Sequence, residues 1–181
     1  MLTKNDDWTI IFPTVRKNLL NRGFTAIEMI VVVAILGILL VASYPAILNT
    51  LETRGLENSA REVLTTLHQV KFQAVKLKLK HRLTFDNSEG YWAYYVEREE
   101  QSGTWVRVSQ EWRKTIPAKY VVTVNVPNQV VVFNPLGMVL NYNPAQHNIS
   151  LQSPNLSAKG QPGTRNIIIY AGGSIQYVKS T

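Results

Sequence analysis

From Met29 to Leu51 the chain carries no charged residue, and the heart of that stretch reads MIVVVAILGILLVASYPAIL. About 20 apolar residues cross a bilayer core as a helix, so this run is long enough to span. A cleavable secretory signal has a shorter apolar region followed by a small-residue cut site. Here the run is longer and no A-x-A-like site follows it, so the span is expected to stay in the mature chain. Lys4, Arg16, Lys17 and Arg22 precede it, and the first basic residue after it is Arg54. Basic flanks mark the cytoplasmic side, which predicts the N-terminus inside and everything beyond Leu51 outside. The chain has no cysteine. Whatever lies outside must therefore hold together by an apolar core and strand pairing, without disulfides, thiol nucleophiles or thiolate metal sites.

The entry to the span reads Lys17-Asn-Leu-Leu-Asn-Arg22-Gly23-Phe24-Thr25-Ala26-Ile27-Glu28-Met29. An ionised carboxylate deep in a bilayer costs ~2.5–3.5 kcal/mol, so Glu28 asks for a partner or for the headgroup layer. Position alone leaves both open. The run Gly23-Phe24-Thr25-Ala26-Ile27-Glu28 closely resembles the class III signal of type IV pilins and type II secretion pseudopilins. That resemblance implies that prepilin peptidase cuts between Gly23 and Phe24 and N-methylates Phe24. It places Glu28 at the fifth position of the mature chain and Pro45 at the twenty-second, where the family carries a glutamate and a proline. It implies subunit assembly through these two: Glu28 neutralises the Phe24 amine of a neighbouring subunit, and the helix bends or melts near Pro45. The implied organisation is a cytoplasmic leader (1–23), a transmembrane and assembly helix (24–51) and a periplasmic helix plus β-rich head (52–181). The implied location is the bacterial inner membrane, with assembly into a periplasmic or surface filament. Partners are other pilin or pseudopilin subunits, the peptidase and inner-membrane lipid.

After Pro45 the pattern turns amphipathic. Leu56, Ala60, Val63, Leu67, Val70, Ala74 and Leu77 recur at steps of four and three. Such a stripe is one face of a helix that a sheet must cover. Gly55 is a candidate bend. Strands are predicted near Arg82–Asp86, Tyr91–Arg98, Thr104–Ser109, Tyr120–Val126, Gln129–Phe133, Met138–Leu140, Ile149–Leu151, Arg165–Tyr170 and Ser174–Val178, with turn residues between them. Pro154–Thr164, rich in Ser, Gly, Pro and Asn, reads as a mobile loop. The fold class is α+β, a long N-terminal helix packed on an antiparallel sheet. Loose patterns (the AREVLTTLHQVKFQAVKLKLKHRLTF run, YWAYYVE, FNPLGMV and a closing Gly-Gly hairpin) resemble the GspH/FimT type, which holds minor pseudopilins and minor pilins.

The residues argue against chemistry. His68, His81 and His147 have no metal-ligand spacing, and the serines lie in no nucleophile-elbow sequence. No enzymatic activity, cofactor or metal is expected. Glu97, Glu99 and Glu100 read as solvated turn charges. Without residues 1–23 the chain keeps 15 Lys and Arg against 10 Asp and Glu. Lys71, Lys76, Lys78, Lys80 and Arg82 cluster at the helix-to-strand junction. They are a candidate phosphate-binding patch, or equally a solvated or salt-bridging face. FimT-type minor pilins bind DNA through a basic motif near the C-terminus. The matching hairpin here, Ala171 to Lys179, has one lysine and no arginine pair, which weakens that alternative. Tyr91, Trp92, Tyr94, Tyr95, Trp105 and Trp112 fall on both faces of a strand, so half of them are expected in the core.

Overall fold

A computed structural model describes residues 24–108 and 113–180. The expected leader, Gly23, Ser109 and Trp112 lie outside them. By its contacts the chain divides into two units, Met1–Ser43 and Tyr44–Thr181. One helix, α1, runs from Ala26 to Leu77, 52 residues. In the first unit it buries nothing: every described residue there is exposed.

In the second unit the predicted stripe is the buried face. Leu56, Ala60, Val63, Leu67, Val70 and Ala74 are fully buried, whereas Leu77, the last expected member, is half exposed. The helix stops just after it. Lys78 takes φ 54°, the left-handed conformation that commonly ends helices, and Lys76 lies in the last turn, where a cation suits the helix dipole.

The expected single sheet is two. In the first, strands β1 (His81–Asp86), β2 (Ala93–Gln101), β3 (Thr104–Arg107) and β6 (Val130–Phe133) lie in the order β3-β2-β1-β6. The two-residue β4 (Lys114–Thr115), which periodicity missed, pairs with β2. The second sheet has the order β5-β7-β8-β9, with β5 Val121–Asn125, β7 Asn148–Gln152, β8 Thr164–Ile169 and β9 Ile175–Ser180. All the pairings are antiparallel. Alternation puts Leu83, Phe85, Tyr94, Val96, Val131 and Phe133 from one sheet into the core. Ile149, Leu151, Ile167 and Ile169 enter it from the other, and the α1 stripe belongs to the same core.

Three further expectations fail for identifiable reasons. Met138–Leu140 forms no strand, only an isolated bridge from Val139 to Phe133. Pro154–Ser157 is a helical turn, α2, which Pro154 opens at a first-turn position and which buries Leu156. The polar composition around Leu156 hid this anchor. Gly55 is no break, because α1 continues through it. A side chain there would meet the Tyr120 hydroxyl at 2.7 Å, so the glycine admits a neighbour.

Candidate functional site

The start of α1 is built by two side chains. The Thr25 backbone N–H donates to Glu28 Oε2 at 3.3 Å, and the Glu28 N–H donates to Thr25 Oγ1 at 3.3 Å. The Thr25 hydroxyl also lies 3.5 Å from the same carboxylate oxygen. This reciprocal arrangement is a capping box, Thr-x-x-Glu, and it satisfies two donors that a helix start leaves open. Its signal, Thr25 three residues before Glu28, is in the sequence. The acidic group also faces the positive end of the helix dipole. Both residues are exposed, and Phe24, just before the cap, is 76% exposed.

Beyond the cap, every residue from 24 to 48 is exposed, including Ile30, Val33, Leu36, Leu40 and Val41. So much bare aliphatic surface has no counterpart in a soluble fold and calls for lipid or another apolar helix. Pro45 lies inside α1 and supplies no N–H to the Val41 carbonyl, which leaves a weak point in the ladder. Ser43 and Thr50 turn their hydroxyls back to the Leu39 and Ala46 carbonyls, so their polar groups are satisfied within the helix.

Residues 19–44 match the family profile of the prokaryotic N-terminal methylation motif. The folded chain is similar to a crystal structure of the Pseudomonas aeruginosa type IV minor pilin FimU. Identity is 16% over 70% of this chain and 90% of that one, with a TM-score of 0.50. A second crystal form of FimU gives 15% identity over 67% and 91%, with a TM-score of 0.45. No curated protein matches the chain in sequence. The chain joins the N-terminal methylation motif to a fold like that of a type IV pilin.

The five basic residues at the junction of this pilin-like chain do not form one patch. Lys71 Nζ donates to the Gly173 carbonyl at 2.9 Å, pinning the β8–β9 turn to α1. Lys80 pairs with Glu99 at 2.9 Å and Arg82 with Glu97 at 2.6 Å. Glu97 also accepts from Thr84 and is buried, so the solvated reading of that acid was wrong. Lys76 reaches over the Phe72 ring, and Lys78 makes no hydrogen bond or ion pair among the described residues. Of the aromatic run, Tyr94 is core, while Tyr95 and Trp105 lie under the Arg107 and Arg82 guanidiniums at 4.1 and 4.3 Å. No group of three or more His, Asp or Glu suited to a metal occurs among the described residues.

Polar contacts that no local pattern announces fasten the helix to the second sheet and its loops. Glu52 accepts from Lys119 and from the buried Ser153, both at 2.8 Å. The bond from Lys119 holds its carboxyl below the usual range despite partial desolvation. Glu57 lies 3.4 Å from Arg165 and also pairs with Lys179, which is the main reason its carboxyl is lowered. Arg165 is fully buried, and its guanidinium donates to the carbonyls of Pro162 and Thr164 at 2.9 Å. Lys159 Nζ donates to Asn49 Oδ1 at 2.6 Å.

Proposed function

We propose that this pilin-like structural subunit is a minor pilin or pseudopilin of the GspH/FimT type, serving a type IV pilus or a type II secretion pseudopilus. The observation that carries the reading is a long apolar stretch of helix, exposed at every residue from 24 to 48 and opened by a Thr25–Glu28 cap directly after Phe24. In this reading prepilin peptidase cuts between Gly23 and Phe24 and methylates the new amine. Residues 24–51 anchor the chain in the inner membrane with the head on the periplasmic side. The same helix then leaves lipid to pack among other subunits.

Glu28 would serve twice. One carboxylate oxygen caps its own helix, and the other has no partner among the described residues. That free oxygen suits the Phe24 amine of an adjacent subunit. An ion pair buried in an apolar bundle contributes little net stability, but one left half-made is costly, so the pair enforces axial register. Pro45 gives the helix a place to loosen on transfer from lipid to filament. A DNA-receptor role is less well supported, since Lys71, Lys80 and Arg82 already have partners within the fold.

The test is intact mass of the membrane form, then crosslinking. The expected product begins at Phe24 and carries one added methyl group. A chain still beginning at Met1 in a host with the peptidase overturns the reading. Glu28→Val should still insert and be cleaved, because the span only gains hydrophobicity. Its crosslinks to other filament subunits should be lost. Normal crosslinking and normal function of the cleaved variant would remove Glu28 from assembly.

A further inference from the structure

The uncharged run ends at Leu51, and the exposed apolar residues Ile47, Leu48 and Leu51 (54%, 43% and 58%) mark how far the hydrocarbon must reach. At that same level the helix is already gripped by the head. Asn49 accepts from Lys159, which lies in the turn following α2, and Glu52 accepts from Lys119. Arg54 projects from the next turn, exposed and without a hydrogen-bond or ion-pair partner among the described residues. Two open clefts flank Asn49. One, of ≈ 370 Å³, is lined by Leu48, Glu52, Asn155 and Lys159. The other, of ≈ 510 Å³, is lined by Thr50, Thr53, Arg54 and Gln161. Both are open to solvent beside basic side chains, Lys159 in the first and Arg54 in the second.

Charge at this level is one-sided. Arg54, Lys119 and Lys159 stand against Glu52 alone, and Glu52 already accepts from Lys119 and Ser153. The imbalance is built into the chain, because no Asp or Glu occurs after Glu111 while six basic residues do. Glu57, the next acid along α1, does not offset it, because it is already paired with Arg165 and Lys179. Lysine and arginine stems cover apolar surface while their charged ends sit among headgroups, which suits residues at a lipid edge.

We propose that Arg54, Lys119 and Lys159 form a collar that docks the base of the head on anionic phospholipid headgroups of the outward-facing leaflet. The inference rests on residues 24–51 being the membrane span. The lipid contact holds the head down on the membrane before assembly, and extraction of the subunit must break it. Each basic side chain at an anionic surface is worth about fivefold in partitioning, roughly 1 kcal/mol, so the collar acts as a reversible, salt-sensitive latch.

The absence of cysteine makes the test direct. Full-length Ala158→Cys, whose label site sits in the exposed turn next to Lys159, is reconstituted in vesicles of phosphatidylcholine alone or mixed with phosphatidylglycerol. Alkylation by a membrane-impermeant maleimide is followed on outward-facing heads. The rate should fall at least about fivefold with the anionic lipid and recover in high salt, where surface electrostatics are screened. It should also recover when Arg54→Glu and Lys159→Glu are added. Equal rates in both vesicles, or slowing that survives charge reversal, would overturn the collar. A second site, Val41→Cys, separates the underlying reading: rapid labelling there would show that the span itself is wrong, whatever happens at Ala158.

Discussion

The two halves of α1 are one continuous helix with opposite surface problems. Residues 24–48 are apolar nearly all round and bury nothing, whereas residues 56–74 are apolar along one stripe and bury all of it. The lower half has its solvent supplied from outside the chain, by lipid and then by other subunits in the proposed cycle. The upper half has its solvent supplied by the two sheets. A helix apolar on every side cannot finish its burial within a domain this small, and one with a single stripe can. Position along the same helix therefore decides whether a substitution is felt by the head or, in the proposed cycle, by the membrane.

The sharpest way to break this contrast is a pair of aspartates. Leu67→Asp places an unpaired charge in the core and should cost about 4 kcal/mol or more, abolishing the cooperative melt of the full chain in detergent micelles. Leu36→Asp, in the lower half, should leave that melt unchanged while reducing membrane insertion. If both variants melt like the parent, the stripe is not the core. Next in size is Gly173→Ala. Gly173 has φ +76°, and a β-carbon there would overlap the Gly137 carbonyl oxygen and press on Lys71. A loss of about 3 kcal/mol is expected, read as a lower denaturation midpoint.

A smaller effect should come from Glu57→Gln, which leaves the buried Arg165 with only its two carbonyl partners. About 2 kcal/mol at neutral pH is expected, less than for a fully buried pair because Glu57 is 22% exposed. Lys179 and Arg165 lower the Glu57 carboxyl in the folded state. Its contribution is therefore complete above the unfolded glutamate value of about 4.3 and is lost as pH falls through the lower folded one. Parent and variant melts should converge in that acid window. A gap that stays constant with pH would assign the loss to packing.

The smallest is Gly55→Ala. Alanine favours the helix by about 1 kcal/mol, but its β-carbon would stand 2.7 Å from the hydroxyl of the buried Tyr120. Net destabilisation of about 1 kcal/mol is expected. Adding the same change to Tyr120→Phe should instead stabilise, so the sign of the effect should reverse between the two backgrounds.

Much of this was legible in the residues. Charge-free length announced the lower half, and steps of four and three announced the stripe from Leu56 to Ala74. The capping box is equally legible as Thr25-x-x-Glu28, a second role beside the charge that the membrane entry makes conspicuous. Failures came where one distant contact outweighed local composition. Leu156 turns a polar stretch into α2, and Tyr120 turns an apparent hinge at Gly55 into a contact. The basic cluster is contiguous in sequence, but in space β2 brings Glu99 to Lys80 and Glu97 to Arg82, and the β8–β9 turn brings the Gly173 carbonyl to Lys71.

By itself the sequence determined the long apolar run, its entry motif, the amphipathic stripe and most of the strands. Each of these is a property of consecutive residues, set by hydrophobic period, length and turn chemistry. Only the tertiary structure decided that the strands divide into two sheets, that Arg165 is buried beside Glu57, and that Lys119, Ser153 and Lys159 grip α1 where the apolar run ends. Those pairings join residues up to 110 positions apart. Their geometry depends on sheet register and loop closure across the whole head, which no window of neighbouring residues contains.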